Sequence, residues 1–196
     1  MIDRLDFAYR TWKPLEPGIG KNCSIAKDAI IGQGTQICDN VVIMERVVIG
    51  KNCLILPGAV IGAKGFGFAR DEIGTPVRIS HTGGVIIGDN VEIGTLSSIA
   101  SGTLNPTIIE NHVKIDTHVL VSHNCHIGEK TLITAGVLFG GSTIVGKMCF
   151  FGTNSTTRNK TKIADNTLVG QHANVVKDII IPGTTVMGNP AKEYKK

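Results

Sequence analysis

Residues 19–62, IGKNCSIAKDAIIGQGTQICDNVVIMERVVIGKNCLILPGAVIG, decide the fold, because an isoleucine returns at every sixth position. Ile19, Ile25, Ile31, Ile37, Ile43, Ile49, Ile55 and Ile61 form the series without a miss. Further along, Ile87, Ile93 and Ile99 resume it after one interruption. After a shorter one it runs Ile109, Ile115, Val121, Ile127, Ile133, Phe139, Val145, Phe151, Thr157, Ile163, Val169, Val175, Ile181 and Met187. Thr157 is its one polar member. A second series of small or β-branched residues precedes it by two positions, as at Cys23, Ala29, Thr35, Val41, Val47, Cys53, Val113, Val119, Cys125, Thr131 and Cys149.

Residues two apart on a strand point to the same face, so each hexad offers two inward side chains on a short strand. Gly, Asn and Asp between the strands permit the turns. Three strands close a triangular coil, and stacked coils pair in parallel along the axis. The fold read from this period is an all-β parallel β-helix solenoid. Cys23, Cys53, Cys125 and Cys149 fall in the small inward series and are read as packing residues, while Cys38 stands outside it without an evident partner.

Composition agrees. The chain has 196 residues, 5% aromatics, 24 glycines and a 42% hydrophobic fraction carried mainly by Ile and Val. The net charge of +4 is spread out, with a basic tail at 193–196, which speaks against nucleic-acid binding. No basic-then-apolar leader is evident, and no apolar run approaches the roughly 20 residues of a membrane span. A cytoplasmic placement follows by default, in which the five cysteines have no oxidising compartment to pair in. The organisation read is an N-terminal arm at 1–17, in which Trp12 caps the first coil, and one solenoid domain at 18–192.

The period breaks twice, at about 63–84 and at 100–106, and solenoids place ligands where loops leave the coil. The first break holds Gly65-Phe66-Gly67-Phe68, and Phe66 and Phe68 are candidate walls for a sugar or base. Counting hexads past the second puts Ser101, His123, Gly141, Asn159 and Lys177 in one column at one corner. An imidazole beside an inserted loop, with glycine above it, is a candidate reaction centre. His126 is read as a surface residue, and His172 as a solvated turn residue.

The segment Lys114-Ile115-Asp116-Thr117-His118-Val119-Leu120-Val121-Ser122-His123-Asn124-Cys125-His126-Ile127-Gly128, with GFGFA, VIIGDNVEIG and GGSTIVG, resembles the hexapeptide-repeat acyltransferase superfamily. Within it, the segment is closest to the UDP-3-O-acylglucosamine N-acyltransferases. It is also similar to nucleotide-sugar N-acetyltransferases and sialic acid O-acetyltransferases, and the ending Met187-Gly188-Asn189-Pro190-Ala191-Lys192 resembles CoA-dependent sugar acetyltransferases. The resemblance spans roughly 17–192. It implies a left-handed helix, a homotrimer, and acetyl transfer from acetyl-CoA to an amino or hydroxyl group of a nucleotide-linked sugar, without a metal. His123 would be the general base, Asn124 would orient the acceptor or the imidazole, and the Gly141 N–H would hold the oxyanion. Gly141, Thr153, Lys160 and Gln171 would bind CoA, Lys177 being a further candidate for a phosphate, and Asp116 and His118 would border the substrate.

Two features depart from the lipid A enzymes. Only about 17 irregular residues precede the repeat where those enzymes carry a uridine-binding domain, and Lys160 stands where they have a second functional histidine. Both favour acetyl-CoA over a long-chain acyl-carrier-protein donor. One alternative keeps the fold and changes the chemistry. In a γ-class carbonic anhydrase, His118 and His123 would bind zinc as a pair, with His81 or His112 of a neighbouring subunit as the third ligand. A non-enzymatic scaffold would show flat outward Thr ladders, whereas the outward positions here are mixed.

Overall fold

The computed structural model describes residues 17–194. The leading segment, including the cap role read for Trp12, and the last two lysines lie outside the described residues. The rest is a left-handed β-helix of about nine turns, with no helix among the described residues. Its three faces are parallel sheets. The first begins with Gly18–Ile19, Gln36–Ile37 and Leu54–Ile55, the second with Ser24–Ile25, Val42–Ile43 and Val60–Lys64, the third with Ile30–Ile31, Val47–Ile49 and Val85–Ile87.

Each coil sits in register on the one below, Ile19 beside Ile37, Ile37 beside Ile55 and Ile93 beside Ile115. The sixfold series is therefore the core: Ile37, Ile43, Ile49, Ile55, Ile61, Ile87, Ile93 and Ile99 are fully buried, with Val41, Val47, Cys53 and Ala59 between them. Cys125 and Cys149 are buried in the same small inward series, at different corners. Burial pushes the Cys125 thiol up to about 12, which leaves it no thiolate at neutral pH. The residue that opens each small inward position turns the corner in the left-handed region, as at Asn124 (φ 60°) and Asn154 (φ 56°), where asparagine is tolerated. Thr157, polar in an aliphatic series, is buried where its hydroxyl accepts the Gly140 N–H and meets the Thr143 hydroxyl at 2.9 Å.

The sixfold count fails at the top. Beyond Val175 the inward positions belong to Ile179, bridged to Ile163, and Val186, paired with Val169. Ile181 and Met187, expected inside, are 64% and 42% exposed. The last coil is irregular: Gly183 turns at φ 74°, and Thr185–Met187 is met by an antiparallel strand, Lys192–Glu193, folded back through the turn at Gly188. The slip precedes this return: Ile163 to Ile179 spans 16 residues and Val169 to Val186 spans 17, where a regular coil takes 18.

The excursions are also more ordered than loops. The second-face strand Val60–Lys64 runs past its hexad, and the chain then forms a hairpin, Phe68–Arg70 against Pro76–Arg78, before rejoining at Val85. Strand Ser98–Ser101 likewise continues beside Ala63 and Lys64 across a bulge at Ile99 and Ala100. Only 102–106 leave the coil at the second break.

Candidate active site

The predicted residues divide between two corners of the second face. His123, Asn124, Gly141 and Lys160 stand where that face turns into the third. Asp116, His118, Thr153 and Gln171 stand at its other edge, where the first face turns into the second. At that other corner Asp116 caps the Thr117 N–H at 2.7 Å, and the Thr117 hydroxyl lies 3.0 Å from His118 Nδ1. Within one chain, these four residues are not brought to His123.

At the His123 corner the geometry is specific. Asn124 Oδ1 accepts the Thr103 N–H (3.2 Å) and hydroxyl (2.8 Å), while its Nδ2 donates to the Asn105 carbonyl (3.0 Å). A backbone N–H only donates and a carbonyl only accepts, so the amide orientation is fixed. His123 Nδ1, 3.0 Å from the same Oδ1, must therefore carry a proton, and Nε2 is left with its lone pair. Asn124 thus ties the inserted loop to the imidazole and sets its tautomer. Thr107 completes the clamp by accepting the Asn124 N–H at 2.9 Å.

The free nitrogen lies against Gly141, one coil up. A Cβ at Gly141 would sit 2.7 Å from His123 Nε2, so only glycine leaves that nitrogen open. The Gly141 N–H itself is engaged, donating to Asn159 Oδ1 at 3.1 Å. His123, Gly141 and Asn159 line a groove of about 330 Å³ with Ser122, Leu120 and the strand edge Ala63 to Phe66. Phe66, 87% exposed, stands at its mouth, packed edge-on against Phe68 at 4.9 Å, with the Arg78 guanidinium over the Phe68 ring. Lys160 is exposed beside the groove with its N–H on the Gly141 carbonyl. Lys177 is not among the groove residues, and Ser101 is buried beneath it, its hydroxyl accepting the Gly84 N–H.

Sequence reasoning gave His81 only as a possible third zinc ligand; the fold makes it the neighbour of His123. The hairpin returns His81 beneath the corner, 5% exposed, its ring 5.2 Å from the His123 ring and edge-on to it. Its Nδ1 donates to the Ile79 carbonyl at 3.0 Å, and its buried Nε2 has no partner among the described residues. Gly65 and Gly67 fit over this pair: a Cβ would lie 2.8 Å from His81 Nε2 at Gly65, and 2.8 Å from His81 Cε1 at Gly67. His126, read as a plain surface residue, is half-buried and meets Glu110 at 2.8 Å. No spacing within a repeat reports either contact, since the first depends on the excursion and the second crosses a coil.

A model of the family described as bacterial transferase hexapeptide (six repeats) matches residues 28–63. The chain is 41% identical over 157 residues to a UDP-3-O-acylglucosamine N-acyltransferase of Janthinobacterium sp. (strain Marseille), an alignment of 80% of this chain and 45% of that protein. A protein of the same name from Hahella chejuensis is 39% identical over 154 residues, covering 79% and 44%. The chain thus spans less than half the length of these relatives. Among solved structures, a UDP-N-acetylglucosamine acyltransferase of Francisella novicida superposes with a TM-score of 0.80 at 26% identity, covering 89% of this chain and 62% of that one. With the buried sixfold ladder, these likenesses make the chain a hexapeptide-repeat left-handed β-helix that is similar to those acyltransferases.

Proposed function

We propose that this protein transfers an acyl group from a thioester to the amino group, or a hydroxyl, of a nucleotide-linked sugar, with His123 as general base. The observation that carries the reading is the fixed tautomer of His123, whose basic Nε2 opens into the groove beneath Gly141. The names of the sequence relatives point to nitrogen of a UDP-linked glucosamine as the acceptor class.

The acceptor amine attacks the thioester carbonyl and His123 Nε2 takes its proton, with imidazole suited to the working pH. The oxyanion needs a fixed donor, the role read for the Gly141 N–H. Collapse breaks the carbon–sulfur bond, and the thiolate leaves with the proton from His123. No acyl-enzyme is required, in keeping with the buried, high-pKa Cys125. Phe66 and Phe68 at the groove mouth offer ring faces to the sugar or base.

We assign acetyl-CoA as donor on the C-terminal GNPAK segment and on Lys160 in place of a histidine, and a homotrimer as the working assembly. Outward Leu132, Phe150 and Leu168 on the first face and Leu120 and Leu138 on the second are half-exposed and stacked in register, as side-by-side packing requires. In such an assembly a neighbour's Asp116–Gln171 corner could complete the groove at His123.

A second reading, zinc-dependent hydration, draws on one observation: His81 and His123 both hold Nδ1 on a fixed acceptor and leave Nε2 bare, as metal-binding histidines do. The two nitrogens are directed at different glycines, however, and among the described residues no three metal-binding side chains gather.

The test follows free thiol release from acetyl-CoA, and from a long-chain acyl-carrier protein, with a panel of UDP-, dTDP- and GDP-amino sugars. Turnover that survives EDTA and collapses in His123→Ala is expected. Bound zinc with CO₂ hydration and no thiol release would overturn the reading.

A further inference from the structure

The Gly141 N–H is already taken. Its partner, Asn159 Oδ1, is an amide oxygen held where a thioester carbonyl oxygen would dock if Gly141 is its donor. Asn159 lines the same groove as His123 and Gly141, and its Nδ2 has no partner among the described residues. One side chain therefore places an acceptor on the oxyanion donor and keeps a second donor in reserve.

Elsewhere, the same kind of bond is purely a corner cap. The Lys21, Lys51 and Lys147 N–H groups donate to Asp39, Asp89 and Asp165 at 2.7, 2.7 and 2.8 Å, and the Asp89 N–H donates to the neutral Asn111 Oδ1 at 2.7 Å. In the first three the acceptor is a carboxylate, the stronger partner for an N–H, and Asn111 shows that a carboxamide also caps a corner at that short distance. At the His123 corner the carboxamide contact is longer than any of these, 3.1 Å. A carboxylate there would serve a cap equally well and would repel a developing oxyanion. Asparagine satisfies the Gly141 N–H at rest without that repulsion.

We propose that Asn159 is the resting occupant of the oxyanion site: its carboxamide swings off the Gly141 N–H when the acyl donor enters, and its Nδ2 becomes the second donor to the thioester oxygen. This rests on the acyl-transfer reading above and adds a residue to it. The exchange replaces one hydrogen bond by another at Gly141, so opening the site leaves no buried donor unpaired.

The experiment compares Asn159→Ala, Asn159→Asp and His123→Ala with the wild type, measuring kcat, KM for the donor, and Tm. Losing one oxyanion donor lowers kcat about 100-fold, so Asn159→Ala should fall by that order with KM changed less than about threefold. Asn159→Asp should fall at least as far, yet keep the wild-type Tm, because it preserves the cap. A structural cap inverts the order: Asp active, Ala impaired and less stable. That result, or both variants within threefold of wild type, overturns the proposal while the loss in His123→Ala leaves the acyl-transfer reading standing. If His123→Ala keeps full activity, the reading itself falls and this inference with it. A readout free of turnover is the Asn159 side-chain amide pair in protein labelled with ¹⁵N-asparagine, assigned by its absence in Asn159→Ala. The pair should move on saturation with acetyl-CoA or acyl-carrier protein thioester. Signals that stay still while others report donor binding overturn the proposal, and no response to either donor overturns the reading.

Discussion

The two corners that bound the second face are built from the same hexad, yet they use glycine differently. At the His118 corner, a Cβ on Gly152 would meet backbone, 2.6 Å from the Gln171 nitrogen, and one on Gly94 would meet the backbone of Asp116 and Thr117. These glycines let coils stack. At the His123 corner, the three nearest atoms to a Cβ on Gly141 all belong to the His123 ring. That glycine leaves room for a nitrogen lone pair. Only the His123 corner receives the inserted loop, the hairpin and a second buried imidazole, and only there is an N–H cap supplied by a neutral amide over a basic nitrogen. Stacking alone explains the first corner; it does not explain the second.

Removing the proposed base should break the comparison most severely. We expect His123→Ala to lose about 10²- to 10⁴-fold in kcat, the range for a positioned general base, with little change in Tm. His118→Ala, at an exposed ring that among the described residues bonds only its neighbour Thr117, should shift KM by less than about tenfold. Equal kcat losses at the two histidines would erase the distinction between the corners.

The glycines give the next test. Gly141→Ala should cut kcat about 100-fold, by crowding Nε2 and displacing the reacting atoms, while the protein stays folded. Gly152→Ala should do the reverse, costing about 1–3 kcal/mol of stability as backbone shifts to admit a methyl, with activity per folded molecule retained. Thermal unfolding and kcat measured on the same preparations would separate the two. A third substitution sharpens the role of the tautomer. Asn124→Ala removes the acceptor of His123 Nδ1 and frees Thr103, and we expect a tenfold or greater fall in kcat together with about 1–2 kcal/mol of destabilisation. Full activity in that variant would mean that the imidazole needs no external orientation.

The repeat was legible because a period of six on a parallel stack is a geometric law: once Ile19 to Ile61 are read, each inward position follows. Counting hexads also placed His123, Gly141 and Asn159 in one column at steps of 18, all beyond the four-residue insertion that the Ile99–Val121 pairing absorbs. What remained hidden lay where the period stops. His81 reaches His123 only because a hairpin closes between them, and no count within the repeat measures a hairpin's return. Ile181 and Met187 were misplaced because the last coil is short, by two residues at Ile179 and by one at Val186. The Gly141–Asn159 bond was in the column but not in the counting, because register says which residues stack and side-chain rotation says which atoms meet.

The smallest expected effect concerns a pair outside both corners, and it checks that coil-to-coil polar contacts elsewhere are structural. Glu110 is drawn two ways. Burial alone would raise its carboxyl, but the hydrogen bonds from His126 and the Glu129 N–H, with the charges of His126 and Lys147, outweigh burial and hold it below the ordinary carboxylate value. A carboxyl depressed in the folded state contributes stability above its unfolded pKa, near 4.3, and loses that contribution as pH falls through the folded value. Tm of the wild type should therefore drop faster than that of Glu110→Gln below about pH 4.3, whereas kcat at neutral pH stays within about twofold in the variant, as for a partly exposed pair of little energetic weight. If Glu110→Gln instead lowered kcat as His123→Ala does, the chemistry would not be confined to one corner, and the division drawn between stacking and catalytic contacts would have to be redrawn along the third face.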